Sequence, residues 1–189
     1  MLLIALMPSG LHAQSYRYDV VLLGQTVGEV NAVCRNNNGQ VDYTIKSKVQ
    51  LRLIPGGNIS TAIEASYANN ILQHAVASRE TGRDNKNKST TTRKNASGYE
   101  VVLNGTRSQL REPSIRYSVA CLFFTEPQNI SRLFSETLGT FLPLASLGNH
   151  QYKLQMPDGN DNIYSYANGK LISVEVNQTL GKVYFKLKN

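Results

Sequence analysis

The chain has 189 residues, 41% of them hydrophobic, with two cysteines, no tryptophan and a formal charge of +7. That length suits one domain with a sizeable core, and that composition excludes a chain disordered throughout. No apolar stretch reaches the roughly 18 residues that a membrane-crossing helix needs.

Residues 1–14 read as a signal peptide. Leu2 to Met7 is apolar, Pro8, Ser9 and Gly10 break the run, and Ala13 is small enough for signal-peptidase cleavage. Residues 15–189 are then expected to form a single β-barrel-like domain, exported to the periplasm or beyond the cell. All of the net charge lies in that part, because residues 1–14 carry no acidic or lysine or arginine side chain. In a cytosolic protein such a charge points to nucleic acid. In an exported one it points to a solvated basic surface or to anionic envelope components, so no nucleic-acid partner is expected.

Taken in order, the elements alternate at period two. Ser15 to Leu23 places Tyr16, Tyr18, Val20 and Leu22 on one face. Thr26 to Arg35 returns after Gly24-Gln25, with Gly28 marking a bulge or a close backbone approach. Asn38-Gly39 is a hairpin turn, since that pair readily supplies positive φ. Val41 to Leu53 is the clearest strand. Val41, Tyr43, Ile45, Val49, Leu51 and Leu53 share one face, while Lys46, Lys48 and Arg52 fall on the other. Asn58 to Ala68 and Ile71 to Thr81 form a hairpin about Asn69-Asn70. Lys88 to Lys94 is Thr-rich and has little to bury, which suggests an edge strand. Tyr99 to Leu103 and Thr106 to Leu110 flank Asn104-Gly105.

Ser114 to Phe124 is apolar on both faces over its second half, which implies cover on both sides or a partly helical segment. Gln128 to Glu136 fits either a helical stripe or a short strand. Thr140 to Ser146 and His150 to Met156 form a further hairpin. Asn162 to Ala167, Lys170 to Gln178 and Lys182 to Lys188 close the chain as a three-strand meander. Ser66-Tyr67-Ala68-Asn69-Asn70-Ile71-Leu72 is echoed by Ser165-Tyr166-Ala167-Asn168-Gly169-Lys170-Leu171. The expectation is an all-β fold, a single antiparallel meander of about 10–12 strands. A sheet of that width curls into an open or closed barrel, with at most one short helix near 128–136.

Catalytic motifs are absent: there is no nucleotide-binding glycine fingerprint, no G-x-S-x-G and no HExxH. His74 shares its strand face with Leu72 and Val76, as a core or pocket histidine does, and a hydrolase-type base paired with Glu64 or Glu80 is the remote alternative. His150 falls at a turn edge, where a solvated side chain is expected. Asp158 to Asn162 has the composition of a calcium loop without its terminal Glu, so a polar turn is the better reading. Cys34 and Cys121 both lie on apolar faces. In an oxidising compartment they form either one disulfide or two buried free thiols. No metal and no cofactor are expected. An outer-membrane barrel is disfavoured by the missing aromatic girdles and by lysines and arginines on the polar faces.

Several segments resemble an uncharacterised family of exported, single-domain β proteins of Gram-negative bacteria. They are Tyr18-Asp19-Val20 with Gly24, Val27 and Gly28; Tyr117-Ser118-Val119 through Glu126-Pro127; Leu133 to Glu136; and Pro157-Asp158-Gly159 leading to Tyr166 to Leu171 and Gly181-Lys182-Val183. The resemblance implies a β fold and export, and it carries no reaction.

The expected function is therefore non-enzymatic: a monomeric envelope protein binding a lipid-like or other apolar molecule in a curved sheet. The candidate cavity residues are Tyr43, Ile45, His74, Tyr117, Cys121 and Phe123. The alternative is a module for protein partners or an anionic surface, using Lys46, Lys48 and Arg52.

Overall fold

Strand alternation and tight turns account for nearly all of the chain. The computed structural model describes residues 12–51, 57–82, 87–178 and 181–188. The first half is a continuous antiparallel meander: β1 (His12–Leu22), β2 (Gln25–Asn37), β3 (Gln40–Gln50), β4 (Asn58–Ala68), β5 (Ile71–Thr81), β6 (Lys88–Asn95), β7 (Gly98–Leu103) and β8 (Thr106–Leu110). A long connection containing one helical turn, α1 (Val119–Leu122), leads to the second meander. That comprises β9 (Arg132–Ser135), β10 (Thr140–Gly148), β11 (Gln151–Leu154), β12 (Asn162–Ala167), β13 (Lys170–Gln178) and β14 (Gly181–Leu187).

β1 pairs with β14, so the two meanders fuse into one 14-stranded sheet whose outermost strands are β8 and β9. The all-β antiparallel expectation holds, with 14 strands among the described residues rather than 10–12; β8, β9 and β11 are only four or five residues long. The helical turn lies at 119–122 rather than near 128–136, where the chain forms β9 instead. The leader expected at 1–14 falls outside the described residues except for His12, Ala13 and Gln14, which pair with Asn36, Arg35 and Cys34 of β2. The far end of the Val41 to Leu53 strand, from Arg52 on, also lies outside them.

The sheet curls with its apolar faces inward. Tyr18, Val20, Val30, Ala32, Ile45, Ile63, Ala65, Tyr67, Leu171 and Val174 are buried in one core. Asp42, Thr44, Lys46, Lys48, Glu64 and Ser66 stand on the other face. This is the reverse of a lipid-embedded barrel, whose apolar band faces outward. Among the described residues no helix is long and apolar enough to cross a membrane.

The curl is not closed by a backbone ladder between β8 and β9. Side chains and the connecting segment span the gap. Arg132 of β9 makes two 3.1 Å hydrogen bonds to the Glu112 carboxylate just beyond β8. The Phe134 N–H donates to the Tyr117 carbonyl at 3.0 Å, so the connection itself covers the β9 edge. Thr90 of β6 donates to the Thr137 carbonyl at 2.9 Å. Gly139 follows at φ +64, where an added Cβ would lie 2.4 Å from Val101 Cγ1. Only glycine lets the β9–β10 turn lie this close to β7.

The Lys88 to Lys94 strand is not at an edge. β6 sits between β5 and β7, with Thr90 and Thr92 turned inward and buried. β-branched threonines fill a pleated inner face well, and Thr90 finds a backbone acceptor.

Candidate functional site

The residues between β8 and β9 form a plug against the inner face of the curled sheet, at one end. Ile115, Ser118, Ala120 and Leu122 are completely buried, and Cys121 and Phe123 nearly so. Tyrosines on the surrounding strands fasten them. The Tyr67 hydroxyl donates to Ser118 Oγ at 2.7 Å, and the Tyr166 hydroxyl donates to the Leu122 carbonyl at 2.7 Å. Tyr99 accepts the Ile115 N–H at 2.9 Å while donating to the Leu72 carbonyl at 3.0 Å. Tyr18 meets Phe123 edge-on, and Tyr43 packs on Phe124 at 5.5 Å between ring centroids. A buried tyrosine is stable when its ring packs and its hydroxyl finds a partner, and this chain meets both needs without tryptophan.

The echoed heptads prove to be equivalent hairpins. Tyr67 pairs with Leu72 and Tyr166 with Leu171, and in each case the register slips by one residue directly beside the tyrosine. Each places its tyrosine inside, on the plug.

The other end of the curled sheet is not filled. A cavity of about 680 Å³ opens there, a size typical of small-molecule sites. Val20, Leu22, Val27, Val49, Leu51, Ile59, Ala77, Leu138, Met156, Val176, Val183 and Phe185 supply an apolar wall. The bulge foreseen at Gly28 is present: Val20 pairs with Gly28 and Val21 with Thr26, leaving Val27 as the extra residue on the cavity. A Cβ on Gly28 would meet the Lys48 carbonyl oxygen at 2.1 Å, so the strands approach too closely there for any side chain. The floor is the packed core: along β3, Val49 and Ser47 line the cavity, Ile45 is buried, and Tyr43 reaches the plug. Arg79, Lys88 and Asp158 stand among the lining residues as its charged groups.

The sequence-derived cavity residues lie elsewhere. Tyr43, Ile45, Cys121 and Phe123 face the interior but are packed into the plugged half. The Tyr117 hydroxyl donates to the Thr125 carbonyl within the plug. His74 faces outward, opposite Ser66 and Arg93. The bulge beside Tyr67 leaves Gln73 as an extra residue, so Leu72 and Ala75 turn inward while His74 and Val76 turn out. A one-residue slip reverses every following side chain. Cys34 and Cys121 are free thiols. Burial pushes the Cys34 thiol up to about 11, with Cys121 nearby adding to it. Burial likewise raises Cys121, so neither is a ready thiolate.

The basic strand face is interleaved with acids. Lys46 lies 3.8 Å from Glu64, both well exposed, and Lys48 is opposite Glu29. Arg52 lies outside the described residues. Asp158 accepts hydrogen bonds from Asn160 at 3.1 Å and closes a polar turn.

Residues 18–188 match the profile of a domain of unknown function, DUF6134. The chain belongs to the DUF6134 family. No curated protein and no solved structure matches it.

This DUF6134 domain carries one polar cluster that sequence reading missed. At the plugged end, a groove of about 820 Å³ is lined by Glu126, Ile130, Leu144, His150 and Tyr152 among others. Glu126 Oε1 lies 2.8 Å from His150 Nδ1 and accepts the Tyr152 hydroxyl at 2.8 Å. Burial pushes the Glu126 carboxyl up, but these hydrogen bonds and the His150 charge outweigh it and hold the group below its ordinary value. The ionised carboxylate puts the imidazole proton on Nδ1 and aims the ring. That is two parts of an acid–base arrangement, and among the described residues no serine hydroxyl is hydrogen-bonded to His150 as a third. Glu126 and His150 are 24 positions apart in the chain, with no motif linking them.

Proposed function

We propose that this DUF6134 protein is an exported, non-enzymatic envelope protein that binds an apolar, lipid-like molecule in the unfilled end of its barrel. The observation that carries the reading is the contrast inside one sheet. The plug fills one half to a packed core, while the other half keeps a walled apolar space of about 680 Å³ with an opening. An apolar wall facing water loses the stabilisation that burial would give it, roughly 25 cal/mol per Å². A ligand restores it. Export rests on the leader-like run at residues 1–13.

Native mass spectrometry of the full chain, with titration by the neutral apolar dye N-phenylnaphthylamine, tests the reading. An adduct or saturable dye uptake is expected, together with loss of uptake in Ala77→Phe, which fills the cavity. Bare protein that takes up no dye overturns it. Surface association through Lys46 and Lys48 gains no specific support, because Glu64 and Glu29 neutralise that strip locally.

A further inference from the structure

Two cations stand at the cavity, and among the described residues neither has a carboxylate within ion-pair distance. Arg79 and Lys88 are exact cross-strand partners in the β5–β6 register. Both belong to the inward parity of their strands, above Ala77 and Thr90, and both line the cavity. Like charges directly opposite on an antiparallel pair repel and destabilise the sheet. Among the described residues neither has a carboxylate within 4.0 Å, whereas Lys46, Arg107, Arg132, Lys153, Lys182 and Lys188 each have one. Asp158 shares the cavity, and hydrogen bonds from Asn160, helped by the Lys88 charge, hold its carboxyl low. It is not paired with either cation: each of its oxygens accepts an Asn160 nitrogen at 3.1 Å, so one carboxylate at a distance offsets the two cations only in part.

We infer that the apolar ligand is an amphiphile with an anionic head, a carboxylate or a phosphate monoester, held between Arg79 and Lys88 with its tail in the cavity. This rests on the binding function proposed above and adds the chemical class of the ligand. The juxtaposition that costs the empty barrel becomes a two-point anion clamp once a head group lies between the cations. Arg79 offers a planar fork and Lys88 a point charge, and both suit a singly or doubly charged head. The apolar wall, with Val49, Ile59 and Phe185, takes the chain.

Calorimetric titration of the delipidated full chain with laurate, dodecanol and dodecylamine separates head from tail. Laurate is expected to bind at least tenfold more tightly than dodecanol, and dodecylamine most weakly. The preference for laurate should shrink as salt rises. Arg79→Gln/Lys88→Gln should bring laurate down to the dodecanol value and leave dodecanol within about twofold. Dodecyl phosphate in place of laurate then decides between the two head groups. If dodecanol binds as tightly as laurate, or the double variant keeps the laurate preference, the anionic clamp is overturned while the apolar cavity stands. If none of the probes binds, both fall. Both cations are exposed and their cross-strand repulsion is lost in the variant, so its circular dichroism melt should match or slightly exceed the parent's.

Discussion

The two ends of this curled sheet are built from the same strands and hold opposite contents. Along β1, Tyr16 and Tyr18 pack against Phe124 and Phe123 of the plug, while Val20 and Leu22 face the cavity. Along β4, Tyr67 hydrogen-bonds to Ser118, while Thr61 and Ile59 face the cavity. Large aromatics with hydroxyls line the plugged half; aliphatics, Met156 and Phe185, with a few polar and charged groups, line the open half. The plugged half needs partners for buried polar atoms and has a peptide segment to provide them. The open half presents few such atoms and so makes no demand that a peptide must meet. Side-chain choice along otherwise equivalent strands thus decides which half is core and which is site.

The sharpest test truncates one side chain in each half. Leu122→Ala in the plug is expected to cost about 3 kcal/mol, because a fully buried leucine leaves a cavity behind. Val183→Ala at the open end should cost under about 1 kcal/mol, since part of the valine surface is already unpacked. Urea unfolding measures both, and equal losses would break the distinction. Removing the fasteners comes next. Tyr67→Phe and Tyr166→Phe should each lower stability by about 1 kcal/mol, as buried acceptors lose their donor, and should leave ligand uptake unchanged.

A pH-dependent signal belongs to the plugged half. Glu136 is 1% exposed, takes the Ala120 N–H at 3.2 Å, and leaves Oε2 without a partner among the described residues. Burial raises its carboxyl above the ordinary value of 4.5. The folded state therefore holds this proton to higher pH than the unfolded chain does. Its contribution to stability is full below the unfolded value and declines as pH rises toward the folded one. Glu136→Gln should flatten that decline in unfolding curves taken across the range upward from pH 4.5. An unchanged slope would show that the group does not stay protonated. The smallest effect is expected on the outer face of the sheet: Lys46→Glu with Lys48→Glu should shift stability by less than about 0.5 kcal/mol and leave apolar binding intact. A loss of binding there would move the site to the outer face.

Much of this molecule was legible in its residues. Period-two alternation and Asn-Gly turns located most strands, Gly28 marked a real bulge, and the doubly apolar stretch to Phe124 foretold a segment covered on all sides. The differences arise where register and long-range pairing intervene. Counting in twos assigns His74 to the inner face, and a single extra residue at Gln73 turns it outward. The polar threonines of β6 suggest an edge, yet β5 and β7 pair with it on both flanks and its alternate threonines turn inward. The pairing of Glu126 with His150 joins two loops that only the plug brings together.

By itself, then, the sequence determined the class: alternation selects strands, short turns select antiparallel neighbours, and charge on one parity selects which face meets water. These are local properties, set by residues within a few positions of one another. Only the tertiary structure decided what lies against the inner face of the curled sheet. Both halves have apolar inner faces, and nothing in an apolar parity says whether a peptide or an empty volume lies against it. That depends on where residues 111–131 come to rest, and they reach the end bounded by Tyr67 and Tyr166 because hydroxyls there meet their buried backbone and Ser118. The opposite pairing of Arg79 and Lys88 is likewise a matter of register, invisible until β5 and β6 lie side by side.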